Sequence, residues 1–152
     1  MRRKKKRKVN TTSRNQRGIS EHVNSVIKRL RQEVPECLAS GVVDMATGML
    51  LTFETTDAHP SEVLDLLAGA TLELFQGRTV TMIEDIFKER RGLTTAERYF
   101  QEILVNSTNL THLFIRNNVN EDVVVVVVCP RSVNIGMLFA AARRVIREQG
   151  DI

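Results

Sequence analysis

The chain has no tryptophan, one tyrosine, two cysteines, three prolines and three histidines among its 152 residues. Each scarcity removes a class of protein. Two cysteines cannot make a disulfide framework, so the fold must rest on an apolar core. Cys37 and Cys129 lie in apolar, strand-like surroundings and read as buried reduced thiols, with a single bridge or one reactive thiol as the alternatives. Few aromatics and no convergent polar set leave little to line a small-molecule site. No run of 18 apolar residues occurs, so no segment is apolar enough to cross a membrane as a helix. The charged start has no apolar stretch behind it, unlike a secretory leader, and the expected compartment is the cytoplasm. No Gly-x-x-x-x-Gly-Lys-Ser/Thr phosphate loop is present, which argues against nucleotide hydrolysis by the chain itself. The histidines fall in separate segments with no ligand spacing to either cysteine. His22 reads as a solvated helix residue, His59 as part of a turn with anion binding as the alternative, and His112 as structural. No catalytic group, cofactor or metal is expected.

Acidic residues are missing from residues 1–18, which hold nine of the 22 lysines and arginines, among them Arg2, Arg3, Lys4, Lys5, Lys6, Arg7 and Lys8. The rest of the chain then carries 13 positive and 18 negative groups. A mildly acidic body argues against a nucleic-acid-binding face on it. Residues 1–18 are read as a disordered basic tail and residues 19–152 as one domain. Lys4-Lys5-Lys6-Arg7-Lys8-Val9 matches a nuclear-import signal letter for letter. Such a run also suits anionic lipid, RNA or an acidic partner, so the tail is an electrostatic tether whose partner stays open.

What the chain has in abundance is valine. Val123 to Val128 are consecutive and are closed by Cys129-Pro130. The branched Cβ suits a pleated surface and disfavours helix. Because a strand alternates its side chains between two faces, this run presents methyl groups to both. At roughly 1.5–3 kcal/mol per buried side chain, leaving one face wet would forfeit several kcal/mol. Helices are therefore required above and below one sheet.

Candidates for those helices are present. Ser20 is the expected cap of the first, with Val23, Val26, Ile27, Leu30 and Val34 as its apolar stripe and Pro35 as its stop. Cys37 to Val43 and Met49 to Glu54 form an expected hairpin around Asp44-Met45-Ala46-Thr47-Gly48. Asp57-Ala58-His59-Pro60-Ser61 should open the next helix, by capping or, alternatively, as a phosphate site. On it Val63, Leu64, Leu67, Thr71, Leu74 and Phe75 line one face, broadened by Leu66, Ala70 and Leu72; Met82, Ile83, Ile86 and Phe87 would continue that face. An unbroken helix over 60–91 would span about 48 Å, long for so small a domain, so Gly77 is the expected break. Glu84, Asp85 and Glu89 read as a solvated acidic face.

Tyr99 to Val105 admits a helix opened by the Thr94-x-x-Glu97 box, or a strand. Turns at 105–109 and 117–120 flank a strand over His112 to Arg116, and a three-strand meander makes Tyr99 to Val105 a strand. The last helix should begin near Ser132 or Asn134, with Ile135, Leu138, Phe139, Ala142, Val145 and Ile146 inward. The expected fold class is α/β: a three-layer α/β/α domain, its five-stranded sheet mostly antiparallel, with helices on both faces.

This order and three local patterns resemble the roadblock (dynein light-chain) family, a profilin-like fold. The patterns are the hairpin from Gly41-Val42-Val43-Asp44 to Gly48-Met49-Leu50-Leu51, the valine strand ending in Pro130, and Asn134-Ile135-Gly136-Met137-Leu138 at the start of the last helix. The resemblance covers residues 20–148 and departs from the family at 77–98, which lengthen the link after the middle helix. It implies interaction rather than catalysis. Family members are homodimers whose middle helices pack together and whose third strands pair across the twofold axis. They are platforms for Ras-like GTPases or motor assemblies, and bacterial members resemble regulators of a small GTPase. On this chain the dimer contact would use Leu64, Leu67, Thr71, Leu74, Tyr99, Gln101, Ile103 and Val105. Arg90-Arg91 reads as a basic helix end, or as an arginine offered to a GTPase in trans. The expected function is a homodimeric, non-catalytic scaffold or regulator that binds a small Ras-like GTPase or another signalling partner. The alternatives are a profilin-like sensor of a small ligand, and a protein that contacts nucleic acid or anionic membrane through Arg2 to Lys8.

Overall fold

The computed structural model describes residues 11–56 and 61–149, with side chains described for 21–56 and 66–149. The basic run Arg2 to Lys8 lies outside the described residues, as do Asp57, His59 and Pro60. The elements are α1 (Thr11–Glu33), β1 (Ala39–Asp44), β2 (Met49–Thr55), α2 (Ser61–Gln76), α3 (Arg78–Arg91), β3 (Glu102–Asn106), β4 (Leu110–Arg116), β5 (Val123–Pro130) and α4 (Ile135–Gln149). All strands pair antiparallel in one five-stranded sheet of order β2-β1-β5-β4-β3. The valine strand is therefore central, and β2 and β3 are the edges.

The valines divide by parity. Val123, Val125, Val127 and Cys129 pack against Val26, Ile27 and Leu30 of α1 and Leu138, Ala142 and Val145 of α4. Val124 and half-buried Val126 face the other way, toward Ala68 and Phe75 of α2 and toward Phe114. Both faces are covered, as the run of branched side chains requires.

Glycine positions two of the elements. A Cβ at Gly41, in β1, would lie 2.8 Å from the Phe53 ring and 3.2 Å from Thr52 O, so bare backbone lets β2 close over β1. A Cβ at Gly77 would lie 2.5 Å from Glu73 O, and the expected break falls there: α2 ends at Gln76 and Gly77 caps α3. At α4, Asn134 Oδ1 accepts the Met137 N–H at 3.0 Å, which makes Asn134 the cap.

Several boundaries differ from the sequence reading: β4 begins at Leu110 rather than His112, and three other starts move for visible reasons. Helix α1 begins at Thr11, so Ser20 lies inside it and part of the stretch read as tail is helical. Residues 11–19 contain no proline, and nothing stops the helix from propagating back through them. β1 begins at Ala39 rather than Cys37, after a turn in which Glu36 takes φ 54. β3 begins at Glu102 rather than Tyr99, because the Tyr99 N–H is taken by the Glu84 carboxylate at 2.9 Å. The Thr94–Glu97 box opens no helix; Thr95 Oγ1 accepts the Glu97 N–H instead.

Candidate protein-interaction surface

Helix α2 turns Ala68, Thr71 and Phe75, at helical spacing, onto the sheet. This inward face shares Thr71 and Phe75 with the one read from sequence and adds Ala68. Leu74 is exposed, Leu67 is exposed at the rim of the space under the helix, and Leu66 is 73% exposed. With leucines on every side of the helix, periodicity could not decide which stripe is buried. Helix α3 departs further: Met82, Ile83, Ile86 and Phe87 are all exposed, and among the described residues α3 buries only Glu84. The apolar stripe continues into exposed Leu93 and Tyr99. Phe87 and Tyr99 stack with centroids 5.2 Å apart, and the Arg91 guanidinium lies 6.0 Å from the Phe87 ring centre. Contiguous apolar surface of this kind marks interaction sites on soluble proteins.

Two buried charges hold this surface in place. Glu84, read from sequence as solvated, is 2% exposed. It accepts the Tyr99 N–H and lies 3.7 Å from Arg98 Nη1, which docks α3 onto the chain leading into β3. Arg116, at the end of β4, is 1% exposed. Its Nε donates to Phe100 O at 2.9 Å and its Nη1 to Glu121 O at 2.6 Å, while the guanidinium sits 5.1 Å from the Phe75 ring centre. Burial, then the Arg98 charge, pull the Arg116 guanidinium below its ordinary value against Glu121, Glu84 and Asp122. Arginine stays charged under such a pull. One side chain thus joins α2, the lead-in to β3 and the turn before β5. Sequence reading missed both residues; the signal for Arg116 was a cation two positions after inward Phe114, on the same side of a strand.

The residues expected at a dimer contact separate into two sets. Leu67 and Leu74 are exposed on α2, and Tyr99, Gln101 and Val105 are exposed along β3 and its approach. Thr71 is instead turned inward, its Oγ1 donating to Leu67 O at 2.8 Å. Ile103 is half-buried against Phe75 and Phe114. Leu64 lies on α2, and its side chain is outside the described residues. Among the described residues β3 pairs only with β4, which leaves its outer backbone edge open.

Between α2 and the sheet lies an apolar cavity of about 230 Å³, walled by Val43, Leu50, Phe53, Ala68, Val126 and His112 among others. The His112 Nδ1 is enclosed with no hydrogen-bond partner. Burial holds the imidazole below its ordinary value, outweighing an opposing hydrogen bond to the Val105 backbone. His22 is half-buried rather than solvated, next to the Val23 stripe, with its Nε2 enclosed. Arg90 and Arg91 are exposed at the end of α3. Among the described residues no group of three or more His, Cys, Asp or Glu is placed to hold a metal ion, and no helix is long and apolar enough to cross a membrane.

No protein-family model matches the chain, and no curated protein does. Solved structures do match. A structure of MglB with a tetrameric arrangement superposes with a TM-score of 0.62 at 16% identity, over 86% of this chain and 86% of that one. The gliding protein MglB from Thermus thermophilus gives 0.61 at 16% identity, over 86% and 87%. A roadblock/LC7 domain from Streptomyces avermitilis gives 0.57 at 12% identity, over 82% and 91%. The chain therefore has the roadblock/LC7 fold, as the hairpin, the valine strand and the Asn134 helix start implied.

Proposed function

We propose that two copies of this chain form a homodimer that serves as a non-catalytic docking scaffold for a small Ras-like GTPase or another signalling protein in the cytoplasm. The observation that carries the proposal is the apolar outer side of α2 and α3, together with the open edge of β3, on a fold shared with MglB. An open edge strand is a template for a second strand. Pairing β3 with its twofold mate continues the sheet, and Leu67 and Leu74 then meet the mate's α2. The stripe of Met82, Ile86 and Phe87 is left for the partner. The GTPase as partner rests on the roadblock resemblance and on the likeness to MglB. Residues 1–18 serve this scaffold as its basic tether, the last part of them continuous with α1, and 19–152 as its domain.

Light scattering on the eluting full-length protein at tens of micromolar tests the dimer. Twice the chain mass is expected, falling to the chain mass in a Leu67→Glu/Val105→Glu double variant of unchanged circular dichroism. A native protein that elutes as a monomer overturns it. Ile103→Glu is the poorer probe, since Ile103 also packs inward. The partner is tested by capture from lysate with GDP or a GTP analogue present: nucleotide-dependent retention of a small GTP-binding protein is expected, and retention of none removes the GTPase from the proposal.

The cavity under α2 favours a second reading, a small-ligand sensor. Its volume of about 230 Å³ falls below the ~300–1,000 Å³ of typical ligand pockets. It fits a partner's apolar side chain better than a whole ligand. A co-purified small molecule in native mass spectrometry would reverse that order.

A further inference from the structure

The two cysteines sit at adjoining strand ends, and a local irregularity brings them face to face. In the β1–β5 ladder Ala39 opposes Val128. Yet the Leu38 N–H also donates to Val128 O, at 2.8 Å. Two successive residues thus oppose one, a bulge that shifts the pairing by one position. In the unshifted ladder Cys37 would face Pro130; after the shift it faces Cys129. The Leu38–Val128 bond makes the next pair outward the non-hydrogen-bonded kind, with Cα atoms about 4.5 Å apart, inside the roughly 4.4–6.8 Å that a disulfide spans. The side chains agree with the register. Cys37 packs against the cluster that contains Cys129; its thiol donates to Ala39 O at 3.3 Å, and that of Cys129 reaches back to Pro35 O, just before Cys37, at 3.6 Å.

Their surroundings give them different tasks. Cys37 is half-buried and within reach of a small oxidant, whereas Cys129 is fully enclosed. The neighbouring Cys129 thiol outweighs burial and, with the nearby Arg31 charge, holds the Cys37 thiol below its ordinary value. Cys129 is pushed the other way by its Cys37 neighbour and by burial, and stays a thiol. The Arg31 Nε is enclosed without a hydrogen-bond partner.

We propose that Cys37 and Cys129 are a hydroperoxide-responsive pair that closes into an intramolecular disulfide. The Cys37 thiolate attacks one oxygen of the hydroperoxide and the O–O bond breaks. The departing oxygen leaves as an alcohol, or as water, after taking a proton from solvent, and Cys37 becomes a sulfenic acid. The Cys129 sulfur then attacks the Cys37 sulfur, the S–S bond forms and the S–O bond breaks. The hydroxide leaves as water with the proton that Cys129 gives up. Two thiols are oxidised and one hydroperoxide is reduced. In a reducing compartment the pair rests as the dithiol, and a pulse of peroxide closes it. Cys37 follows the exit from α1, and Cys129-Pro130 precede the entry to α4. The bridge therefore pins together the two helices on one face of the sheet, at a place separate from α2 and β3.

Reduced full-length protein, treated with hydrogen peroxide, alkylated and digested without reductant, tests the proposal. The expected result is an intact mass lower by two hydrogens, one linked peptide pair joining Cys37 to Cys129, single-chain mobility on a non-reducing gel and a raised melting temperature. Cys129→Ala should leave a sulfenic acid at Cys37 that dimedone traps, and Cys37→Ser should leave Cys129 unoxidised. Two alkylated thiols after peroxide, Cys37 carried on to sulfinic acid in the native protein, or cross-links between chains would each overturn it. Should Cys129→Ala fail to fold, the peptide map of the native protein decides alone.

Discussion

Arg116 and Glu84 place charge where the surrounding pattern is apolar, and both act on backbone rather than on a substrate. Removing the Arg116 guanidinium leaves Phe100 O and Glu121 O without their donor. At about 1–3 kcal/mol for each unsatisfied buried group, Arg116→Leu should lower stability by roughly 2–5 kcal/mol in urea denaturation. Arg143→Ala is the control. Its ion pair with Glu102 is as short, at 2.6 Å, but Arg143 is 54% exposed, and about 1 kcal/mol or less is expected. His112 supplies the pH dependence. Folded, its imidazole resists the proton that the unfolded chain accepts near the ordinary value of about 6.5. Its contribution is therefore whole above about pH 6.5 and is lost as pH falls toward the lower folded value. Native protein should lose more stability than His112→Gln between about pH 7.5 and pH 5.5, read from urea midpoints. Strand alternation from Phe114 hinted at Arg116 and nothing local at Glu84; what buries each is a partner distant along the chain, Phe100 for Arg116 and Tyr99 for Glu84.

Among the elements, those with local signals were legible and those set by packing were not. Branched valines announced β5, and Gly77 announced the break between α2 and α3. The hairpin of β1 and β2 was marked by its turn, where Asp44 carboxylate oxygens accept the Ala46 N–H and the Thr47 hydroxyl. On α2 the inward stripe was legible at Thr71 and Phe75 but not at small Ala68, and on α3 it was misread because charged Glu84 is buried where methionine, isoleucine and phenylalanine were expected. The interaction surface was thus visible only as more apolar residues than the core can use. Two glycines in one region test the geometry with opposite signs. Gly77→Ala sets a Cβ 2.5 Å from Glu73 O and should cost about 1–3 kcal/mol. A Cβ at Gly69, inside α2, meets nothing within 4 Å, and Gly69→Ala should raise stability by about 0.5–1 kcal/mol. Thermal denaturation of both variants at one concentration measures the difference.

For the molecule as a whole, the proposed dimer would extend the sheet across a twofold axis, so that the protection of its edge depends on concentration while its centre stays protected. On dilution, hydrogen exchange at amides 102–106 should quicken as the dimer dissociates, and amides 123–128 should stay slow; equal behaviour at every concentration would place the contact elsewhere. That centre has a peculiarity of its own. Slide Val123 to Val128 along by one place and valine lands where valine stood, so the alternation that tells other strands where to stop is silent here. Alignment is imposed from the two ends. At one, the Asn117 N–H grips Val123 O, and Asn117 Oδ1 folds the turn by accepting from Val119 and Asn120. At the other stands Pro130, which has no N–H to offer a slipped neighbour. The middle of this protein is a smooth rod held by a clasp at each tip, and an asparagine and a proline, rather than the valines between them, keep the sheet from misthreading.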